Sequence, residues 1–434
     1  MILETLDTRR KALRINLDSN IYGTFAEIGA GQEVARNFFT AGAASGTIAK
    51  TMSAYDMTFS NEIYGPEESG RYVSKSRLQK MLNHEFELLA ERLCGVSYET
   101  RTFFSFANTV TTLNYDKSND PHGWLGIKFQ LTPCGPSNEI IFHVRLLDSD
   151  AALQQNVLGI LGVNLVYAAF HYHQDPQRMI ESLSDNLSRG SVEIDLISVK
   201  GPDFADLSEI LVNLYLIQKG FSSAAVFLPN VGVVQAKDLM YKKNIMILRT
   251  RFNQKSKPDF KLFNDAIKQY SEYLNVDNHS LITMAELTLN NLMTKSDMED
   301  IDLLDRIANR AKDITESGHA VIISNFDRHQ KLAKYLNKCK PKSVGITTSI
   351  SNLKNIFSSQ YYGPGYTNEL LAYISDLFSN NVKLLTFPYR DIKNKQIVTT
   401  RNLEVSPEAK PLFDFLIQNK YILDVLDLEK PADS

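Results

Sequence analysis

A glycine-rich segment near the N-terminus contains the first residues whose types and spacing could do chemistry. Residues 25–33 read Phe-Ala-Glu-Ile-Gly-Ala-Gly-Gln-Glu. Closely spaced glycines let a backbone approach a ligand, and an acidic residue can order such a loop or hold a ribose. Glu27, Gly29 and Gly31 are therefore candidate ligand-binding residues. The next position of the series is Glu33, which adds charge and bulk, so a tight turn with glycines at positive φ is the alternative interpretation.

A second small-residue segment follows at residues 42–50, Gly-Ala-Ala-Ser-Gly-Thr-Ile-Ala-Lys. A phosphate-binding loop of the Gly-x-x-x-x-Gly-Lys-Ser/Thr type cradles phosphate with backbone amides and completes the site with its lysine. Here three residues separate Gly42 from Gly46, and Lys50 comes four residues after the second glycine. Lys50 is a candidate cation for a phosphorylated ligand. The alternative interpretation is the end of a helix followed by a strand.

A polar strand face offers a third group of candidates. Residues 139–147 alternate apolar and polar side chains, which predicts a strand with His143 and Arg145 on one face. In an antiparallel sheet with the preceding strand, Lys128 and Gln130 are expected beside them. A guanidinium and an ammonium group together suit a phosphate or a carboxylate. The alternative is a polar face that contacts solvent or another domain.

These candidates define one hypothetical ligand site, in which glycines give backbone access, cations supply charge, and a carboxylate fixes a ribose or acts as a base. Its members are Glu27, Gly29, Gly31, Lys50, His143 and Arg145. The chain has no complete Ser-His-Asp, His-Glu-x-x-His or Gly-x-Ser-x-Gly constellation, so neither catalytic residues nor a cofactor is assigned. His171 and His173 are spaced to point apart, so no metal site is expected.

Residues 324–329, Ser-Asn-Phe-Asp-Arg-His, are similar to the Gly-x-Phe-Asp-Pro-x-His start of nucleotidyltransferases. Those enzymes also need a following Gly-His, whose imidazole stabilises the transferring phosphate, and a later Ser-x-Thr-x-x-Arg. Gln330 and Lys331 occupy the Gly-His region here, and the Thr-Thr-Ser-Ile-Ser run at 347–351 has no arginine after it. Adenylyl transfer is therefore disfavoured, and Asp327 as the N-cap of a helix explains the same residues.

Composition narrows the class of protein. The 434 residues include 47 Lys and Arg against 50 Asp and Glu, a net charge of −3 that disfavours a nucleic-acid partner. The three cysteines are far apart in sequence, which disfavours disulfides and fits a reducing, cytoplasmic location. The longest apolar run, residues 157–170, is shorter than the ~20 residues of a membrane-spanning helix and predicts a buried core helix. No membrane association is expected.

The hydrophobic periodicity predicts a mixed α/β fold in two domains. Helical spacing at residues 74–93 is followed by three alternating segments typical of an antiparallel meander. A polar stretch with Pro258 marks a boundary between a domain at 1–255, with the meander and the glycine-rich loops, and one at 256–434. In the second domain, helices at about 261–274, 279–294 and 297–317 precede alternating strands and helices that favour a Rossmann-like parallel sheet.

Four segments are similar to a family of bacterial cytosolic proteins of comparable length. They are residues 21–36, 44–59, 122–129 and 158–165. Some members are named TonB-dependent receptor or nicotinate-nucleotide adenylyltransferase, although the residues that would support either name are missing from this chain. The resemblance implies a bacterial source and a cytosolic protein, and it implies no catalytic residues.

Two functional hypotheses follow from the sequence. The first is a protein that binds a nucleotide or another phosphorylated small molecule, with or without catalysis. The alternative is a non-catalytic scaffold or filament protein that assembles as a homo-oligomer, for which the aromatic segment at 360–366, Gln-Tyr-Tyr-Gly-Pro-Gly-Tyr, would supply apolar contacts.

Overall fold

The computed structural model describes residues 5–94, 100–251, 260–289, 301–362, 365–390 and 396–425. The chain divides into two compact units, residues 1–222 and 223–434. The boundary expected near residue 255 falls inside the second unit, because strands that precede it pair with strands of the C-terminal sheet. The polar stretch at 252–259, on which that expectation rested, lies outside the described residues.

The first unit has seven helices and six strands among its described residues. The helices are α1 (Thr8–Leu17), α2 (Glu33–Ala41), α3 (Met57–Tyr64), α4 (Lys75–Leu93), α5 (Ala151–His171), α6 (Pro176–Ser182) and α7 (Glu209–Gln218). The strands are β1 (Ile21–Ile28), β2 (Ile48–Met52), β3 (Thr102–Thr111), β4 (His122–Gln130), β5 (Ser137–Leu146) and β6 (Val192–Lys200).

The six strands form one sheet in the order β2-β1-β3-β4-β5-β6. Strand β1 runs parallel to β2 and β3, and the strands from β3 to β6 form an antiparallel meander. The meander predicted from alternating side chains is therefore confirmed. Helix α4 packs on one face of the sheet, where Ser105 donates a hydrogen bond to the Leu82 carbonyl, and α5 packs on the other, where Phe170 meets Phe104 and Phe129.

Helix α5 is the central helix of this unit. It is long and apolar enough to cross a membrane by length and composition, yet 72% of its most apolar window is buried inside the protein. Asp150 caps its N-terminus by accepting from the amides of Ala152 and Leu153. Gly162 lies so close to Val34 and Phe106 that a Cβ would clash with both side chains. The prediction of a buried core helix is confirmed.

The described part of the second unit has seven helices and ten strands. The helices are α8 (Ala236–Met240), α9 (Phe260–Leu274), α10 (Ile301–Glu316), α11 (His329–Lys338), α12 (Ile350–Ile356), α13 (Tyr366–Leu377) and α14 (Lys410–Gln418). The strands are β7 (Ala224–Leu228), β8 (Gly232–Val234), β9 (Asn244–Arg251), β10 (Leu281–Thr288), β11 (Ala320–Ser324), β12 (Ser343–Ser349), β13 (Val382–Phe387), β14 (Tyr389–Arg390), β15 (Ile397–Val398) and β16 (Ile422–Asp424).

Eight of these strands form a doubly wound sheet in the order β16-β13-β12-β9-β10-β11-β7-β8. The six strands from β16 to β11 are parallel, and β7 and β8 add an antiparallel hairpin at one edge. After this edge hairpin, the parallel part begins in the middle at β9, continues outward through β10 and β11, and then returns to form the other side from β12. This is the strand order of a Rossmann fold, so the predicted α/β class and Rossmann-like domain are confirmed.

Helices cover both faces of the parallel strands. On one face, Met246 and Leu248 of β9 pack with Phe263 and Tyr270 of α9. On the other, alternate residues of β9 join a larger apolar core with the helices from α11 to α14. A strand covered on both faces is apolar throughout, which is why the hydrophobic pattern alone does not separate it from a buried helix. The helix predicted at 279–294 is wrong, because residues Leu281–Thr288 form the strand β10, which pairs with β9 and β11 and whose sequence does not alternate strictly between apolar and polar residues.

The prediction about the cysteines is also wrong. Cys94, at the end of α4, and Cys134, in the turn between β4 and β5, form a disulfide with a Cα–Cα distance of 5.8 Å. They are 40 residues apart in sequence, but in the folded chain the turn between β4 and β5 lies beside the C-terminal end of α4. Cys339 is buried and lies outside this disulfide.

Candidate functional site

A polar cavity lies at the carboxyl edge of the second sheet, where the strand order reverses between β9 and β12. In open α/β sheets the two crossover connections leave neighbouring strands in opposite directions at such a point and open a crevice between them. The cavity has a volume of about 130 Å³. Its lining residues are Arg249, Thr250, Thr288, Asp327, His329, Thr347, Thr348, Asn352, Asn355, Ile356 and Tyr361.

Three of the four threonine hydroxyls in this lining form hydrogen bonds within the protein. Thr250 Oγ1 donates to the Glu286 carbonyl at 2.8 Å, and Thr288 Oγ1 donates to the Phe326 carbonyl at 2.7 Å. Thr347 Oγ1 accepts from the amide of Arg249 at 3.1 Å, which ties β12 to β9 and leaves the hydroxyl hydrogen for another acceptor. These bonds fix the ends of three strands around the cavity.

Thr348 is different from its neighbours. Its side chain is 4% exposed, and within the described residues Oγ1 has no hydrogen-bond partner. Leaving a buried hydroxyl unsatisfied costs about 1–3 kcal/mol relative to a satisfied one. A valine would fill the same space without that cost, so the hydroxyl is a feature that the packing of the strand does not require.

A buried ion pair supports the wall of the cavity. Arg249 Nη1 lies 3.5 Å from Glu286 Oε2, and Arg249 Nη2 donates to the Phe326 carbonyl at 2.7 Å. Burial raises the pKa of Glu286, and the facing guanidinium and a 2.6 Å hydrogen bond from Ser324 Oγ oppose that shift. The pair fixes the loop after β11 to the ends of β9 and β10.

The loop after β11 contributes a second set of charges. Asp327 is paired with Lys331 at 2.8 Å, and the Arg328 guanidinium carbon lies 4.8 Å from the centre of the Tyr361 ring. Helix α11 begins at His329 after Arg328 as its N-cap residue, and no side chain caps it by a hydrogen bond. The prediction that Asp327 is the N-cap is therefore wrong, because its carboxylate is engaged one turn further along the helix.

The candidate site predicted in the first unit has a different geometry. Glu27 is 1% exposed, and its carboxylate accepts from the amides of Val34 and Ala35 at 3.2 and 2.9 Å and from Asn108 Nδ2 at 3.1 Å. Burial raises its pKa to about 7, against the opposing effect of these three donors. The carboxylate thus takes the free amides at the start of α2, where an anionic ligand would otherwise bind.

The two glycines of that loop allow a backbone conformation with positive φ. Gly29 and Gly31 have φ values of +102° and +74°, as the tight-turn interpretation expects. A Cβ on Gly29 would lie 1.9 Å from the Val110 carbonyl oxygen, so this glycine lets β1 approach β3. Around Gly31 the nearest atom to a Cβ would be Glu33 Oε1 at 3.9 Å, so space there is open.

The predicted cations of the first unit already have acidic partners. Lys50 forms a salt bridge with the fully buried carboxylate of Glu85. Arg145 lies 3.4 Å from Asp120 and 3.5 Å from Glu193, and these carboxylates raise its pKa although burial acts in the opposite direction. Lys128, expected beside Arg145, instead pairs across the sheet with Glu139 and donates to Asn83.

His143 belongs to a chain of hydrogen bonds inside the meander. Its Nδ1 lies 2.7 Å from Asp195 Oδ1, and its Nε2 lies 3.0 Å from Nδ1 of His122. A register shift between β5 and β6 at His143 and Val144 sets Asp195 at this position. The Trp124 ring packs on the His143 ring at 4.9 Å.

The sheet register separates the members of the predicted site. In the paired strands, Ile28 aligns with Thr109, Trp124 and His143, so these side chains share one face. Glu27 is one residue earlier on β1 and points to the opposite face. The structure therefore brings His143 and Arg145 together on β5, as the sequence predicts, and separates both from Glu27.

Sequence reasoning did not find the cavity of the second unit. Its residues come from the ends of β9, β10 and β12, the loop after β11, helix α12 and Tyr361. Two of these segments, residues 324–329 and 347–351, were noted in the sequence only as an incomplete nucleotidyltransferase pattern. The available signal was the predicted alternation of strands and helices, because polar residues at the carboxyl ends of such strands are the expected site. Among the described residues, no group of three or more His, Cys, Asp or Glu could hold a metal ion.

Comparison with known proteins places this chain in no family. No family model matches it, and no curated protein does. Solved structures with a partial likeness include the competence/damage-inducible protein CihA from Agrobacterium tumefaciens. The two sequences are 17% identical, the match covers 39% of this chain and 98% of that chain, and the TM-score is 0.27. A CinA superfamily protein from Klebsiella pneumoniae is 10% identical, with 37% of this chain and 96% of that chain covered and a TM-score of 0.28.

A CinA superfamily protein from Escherichia coli is 14% identical, with 38% of this chain and 92% of that chain covered and a TM-score of 0.26. At these scores the likeness carries no argument about either unit. The similarity to the bacterial family described above stays a prediction.

Proposed function

We propose that the cavity at the carboxyl edge of the second sheet binds a nucleotide or another phosphorylated small molecule. Its position supports this proposal, because doubly wound sheets bind ligands where the strand order reverses. The observation that carries it is the buried Thr348 hydroxyl, which lines the cavity and lacks a partner among the described residues. A ligand that hydrogen-bonds to Thr348 would remove the cost of burying that hydroxyl.

The surrounding residues suit such a ligand. Asn352 provides an amide that donates and accepts, and Tyr361 provides an aromatic surface. Arg328 stacks on Tyr361 and supplies a guanidinium beside the cavity, where a phosphate would form a charge-assisted hydrogen bond with it. The cytoplasmic location and self-assembly predicted from the sequence stay predictions, and the Cys94–Cys134 disulfide would be unusual in a reducing compartment.

A panel of nucleoside mono-, di- and triphosphates and sugar phosphates tests the proposal by isothermal titration calorimetry on the full chain. At least one class is expected to bind with a stoichiometry of one. Thr348→Val should weaken that binding about 5- to 10-fold, which corresponds to the loss of one hydrogen bond. Binding by no member of the panel would overturn the proposal.

Thr386→Val is the matched control. Thr386 is the residue of β13 that pairs with Thr348, and its hydroxyl bonds to the Leu423 carbonyl and to Asp424 outside the cavity lining. This substitution removes the same atoms from a neighbouring strand and should leave the affinity unchanged. Equal weakening by both variants would mean that Thr348 acts through the packing of the strands, and the proposed contact would be wrong.

A further inference from the structure

The charges in and around the cavity suggest how its ligand is oriented. We infer that the cavity takes the uncharged sugar of a sugar phosphate or nucleotide and that the phosphate lies at the rim against Arg328. This inference rests on the proposed function and adds to it which part of the ligand enters. Three features of the described residues carry the argument: the pairing of the charges in the wall, the chemistry and size of the cavity, and the position of Arg328.

The charged groups of the cavity wall are already matched. The Arg249 guanidinium faces Glu286 at 3.5 Å and is bound to the carbonyls of Phe326 and Arg328. The Asp327 carboxylate is matched by Lys331. A phosphate held inside would therefore meet no unmatched lysine or arginine among the described lining residues, and burying an unmatched charge is strongly unfavourable.

The neutral groups of the lining suit hydroxyls. The Thr347 hydroxyl has its hydrogen left to donate, the Thr348 hydroxyl lacks a described partner, and the Asn352 amide both donates and accepts. Sugar hydroxyls also donate and accept, so each can satisfy two of these groups at once. A phosphate dianion only accepts, and it would leave the acceptor lone pairs of the threonines unused.

The size of the cavity agrees with partial entry. Sites that enclose a whole drug-sized ligand have volumes of about 300–1,000 Å³, whereas this cavity has about 130 Å³. One ring of a nucleotide fits that volume, and the remainder would extend past the rim. Arg328 lies at that rim, since it is flanked by the lining residues Asp327 and His329 and stacks on Tyr361.

Ribose, ribose 5-phosphate and inorganic phosphate, at equal concentrations, separate the two ends of the ligand. Saturation-transfer NMR on the full chain should show that ribose and ribose 5-phosphate bind competitively, and that inorganic phosphate displaces neither. Ribose 5-phosphate should bind about 10-fold more tightly than ribose, because only it reaches Arg328. Displacement of ribose 5-phosphate by inorganic phosphate, with no binding of ribose, would overturn the inference and leave the proposed function in place.

Two variants give an independent reading. Arg328→Ala keeps the backbone carbonyl that Arg249 uses, so the wall should stay intact. It should abolish the 10-fold preference for ribose 5-phosphate without changing the affinity for ribose, and Arg328→Lys should restore part of the preference. Thr348→Val should weaken both sugars equally. Equal losses for both sugars in Arg328→Ala would contradict the inference, whereas no binding of any sugar or nucleotide would overturn the proposed function itself.

Discussion

Two polar regions of this protein, the surroundings of Lys11, Glu27 and His143 in the first unit and the cavity lining in the second, differ in how their side chains are bonded. In the first unit, Lys11, Glu27 and His143 each lie at 1% exposure and bond to other groups of the same unit. In the second, a cluster of polar side chains surrounds a cavity and includes Thr348, whose hydroxyl has no described partner. Buried polar groups that are fully bonded specify a fold, and one that is left unbonded at a crevice points to a ligand.

The comparison also explains why the predicted site and the candidate cavity differ. The residues of the first unit that stand out in the sequence are a glutamate among glycines and a histidine two residues before an arginine, and their charged and polar groups bond to other groups of the same unit. Glu27 caps a helix, and Gly29 allows two strands to approach. The cavity of the second unit is built from ordinary threonines and asparagines that gain their role from position.

The largest expected effect concerns the disulfide of the first unit. Substitution of Cys94 by serine opens a loop of 40 residues and should destabilise this unit by about 4 kcal/mol in the chain-entropy description. Trp124, which is the chain's single tryptophan and is buried in β4, reports unfolding of the first unit by its fluorescence. Cys339→Ser serves as the control, since that thiol is not part of the disulfide and lies in the second unit. If Cys94→Ser and reduced wild-type protein unfold at the same denaturant concentration as the oxidised protein, the disulfide does not stabilise the unit.

The second prediction concerns the buried lysine that ties α1 to α5 and α6. Lys11 Nζ donates to Asn164 Oδ1 at 2.8 Å and to Asp185 Oδ2 at 2.7 Å, and burial lowers its pKa. Asp185→Ala leaves this ammonium group without its counter-charge and should cost about 3 kcal/mol. Lys11→Met with Asp185→Ala should recover most of that loss, which a double-mutant cycle of denaturant unfolding measures. Additive losses would show that the two residues are not coupled.

Glu27 provides a smaller, pH-dependent test of the same unit. Its pKa rises from 4.5 in the unfolded chain to about 7 in the folded protein, so the folded state binds the proton more tightly. Stability from this group is therefore greatest below about pH 4.5 and falls as the pH rises toward 7, by about 2 kcal/mol between pH 5 and 7.

Glu27→Gln should remove that dependence while lowering stability at every pH, since its amide hydrogens would face the amides of Val34 and Ala35. Denaturant unfolding at several pH values, followed by Trp124 fluorescence, compares the two slopes. A wild-type slope that persists in the variant would assign the dependence to another group.

The smallest expected effect is in the second unit and has the opposite sign. Thr348→Val removes a buried, unbonded hydroxyl, so the variant without ligand should be unchanged or more stable by up to about 1 kcal/mol. Thr386→Val, which removes a bonded hydroxyl, should lose about 1 kcal/mol. Hydrogen exchange of the β12 and β13 amides measures both. A loss in Thr348→Val as large as in Thr386→Val would show that the Thr348 hydroxyl is bonded in the folded protein and would break the contrast between the units.

Local periodicity predicted the individual helices and strands of this fold better than it predicted which of them pair with one another. The alternation at residues 139–147 identified β5, and the apolar run at 157–170 identified the core of α5, because each is a property of consecutive residues. The doubly covered strand β10 lacks such alternation and was mistaken for a helix. Contacts between distant segments decide which sheet β7 and β9 join and which cysteines form a disulfide. Such contacts leave no local pattern in the sequence. The candidate cavity is non-local in the same way.

The two edges of the eight-stranded sheet bear on how copies of this chain could associate. Both edge strands are three residues long, β8 at Gly232–Val234 and β16 at Ile422–Asp424. So short an edge offers few unpaired amides and carbonyls to an incoming strand, a feature that discourages fibre-like growth by strand addition. The edges of the six-stranded sheet differ, because its edge strand β6 has nine residues and offers a longer row of backbone groups. Growth by strand addition would therefore use β6 in preference to β8 or β16.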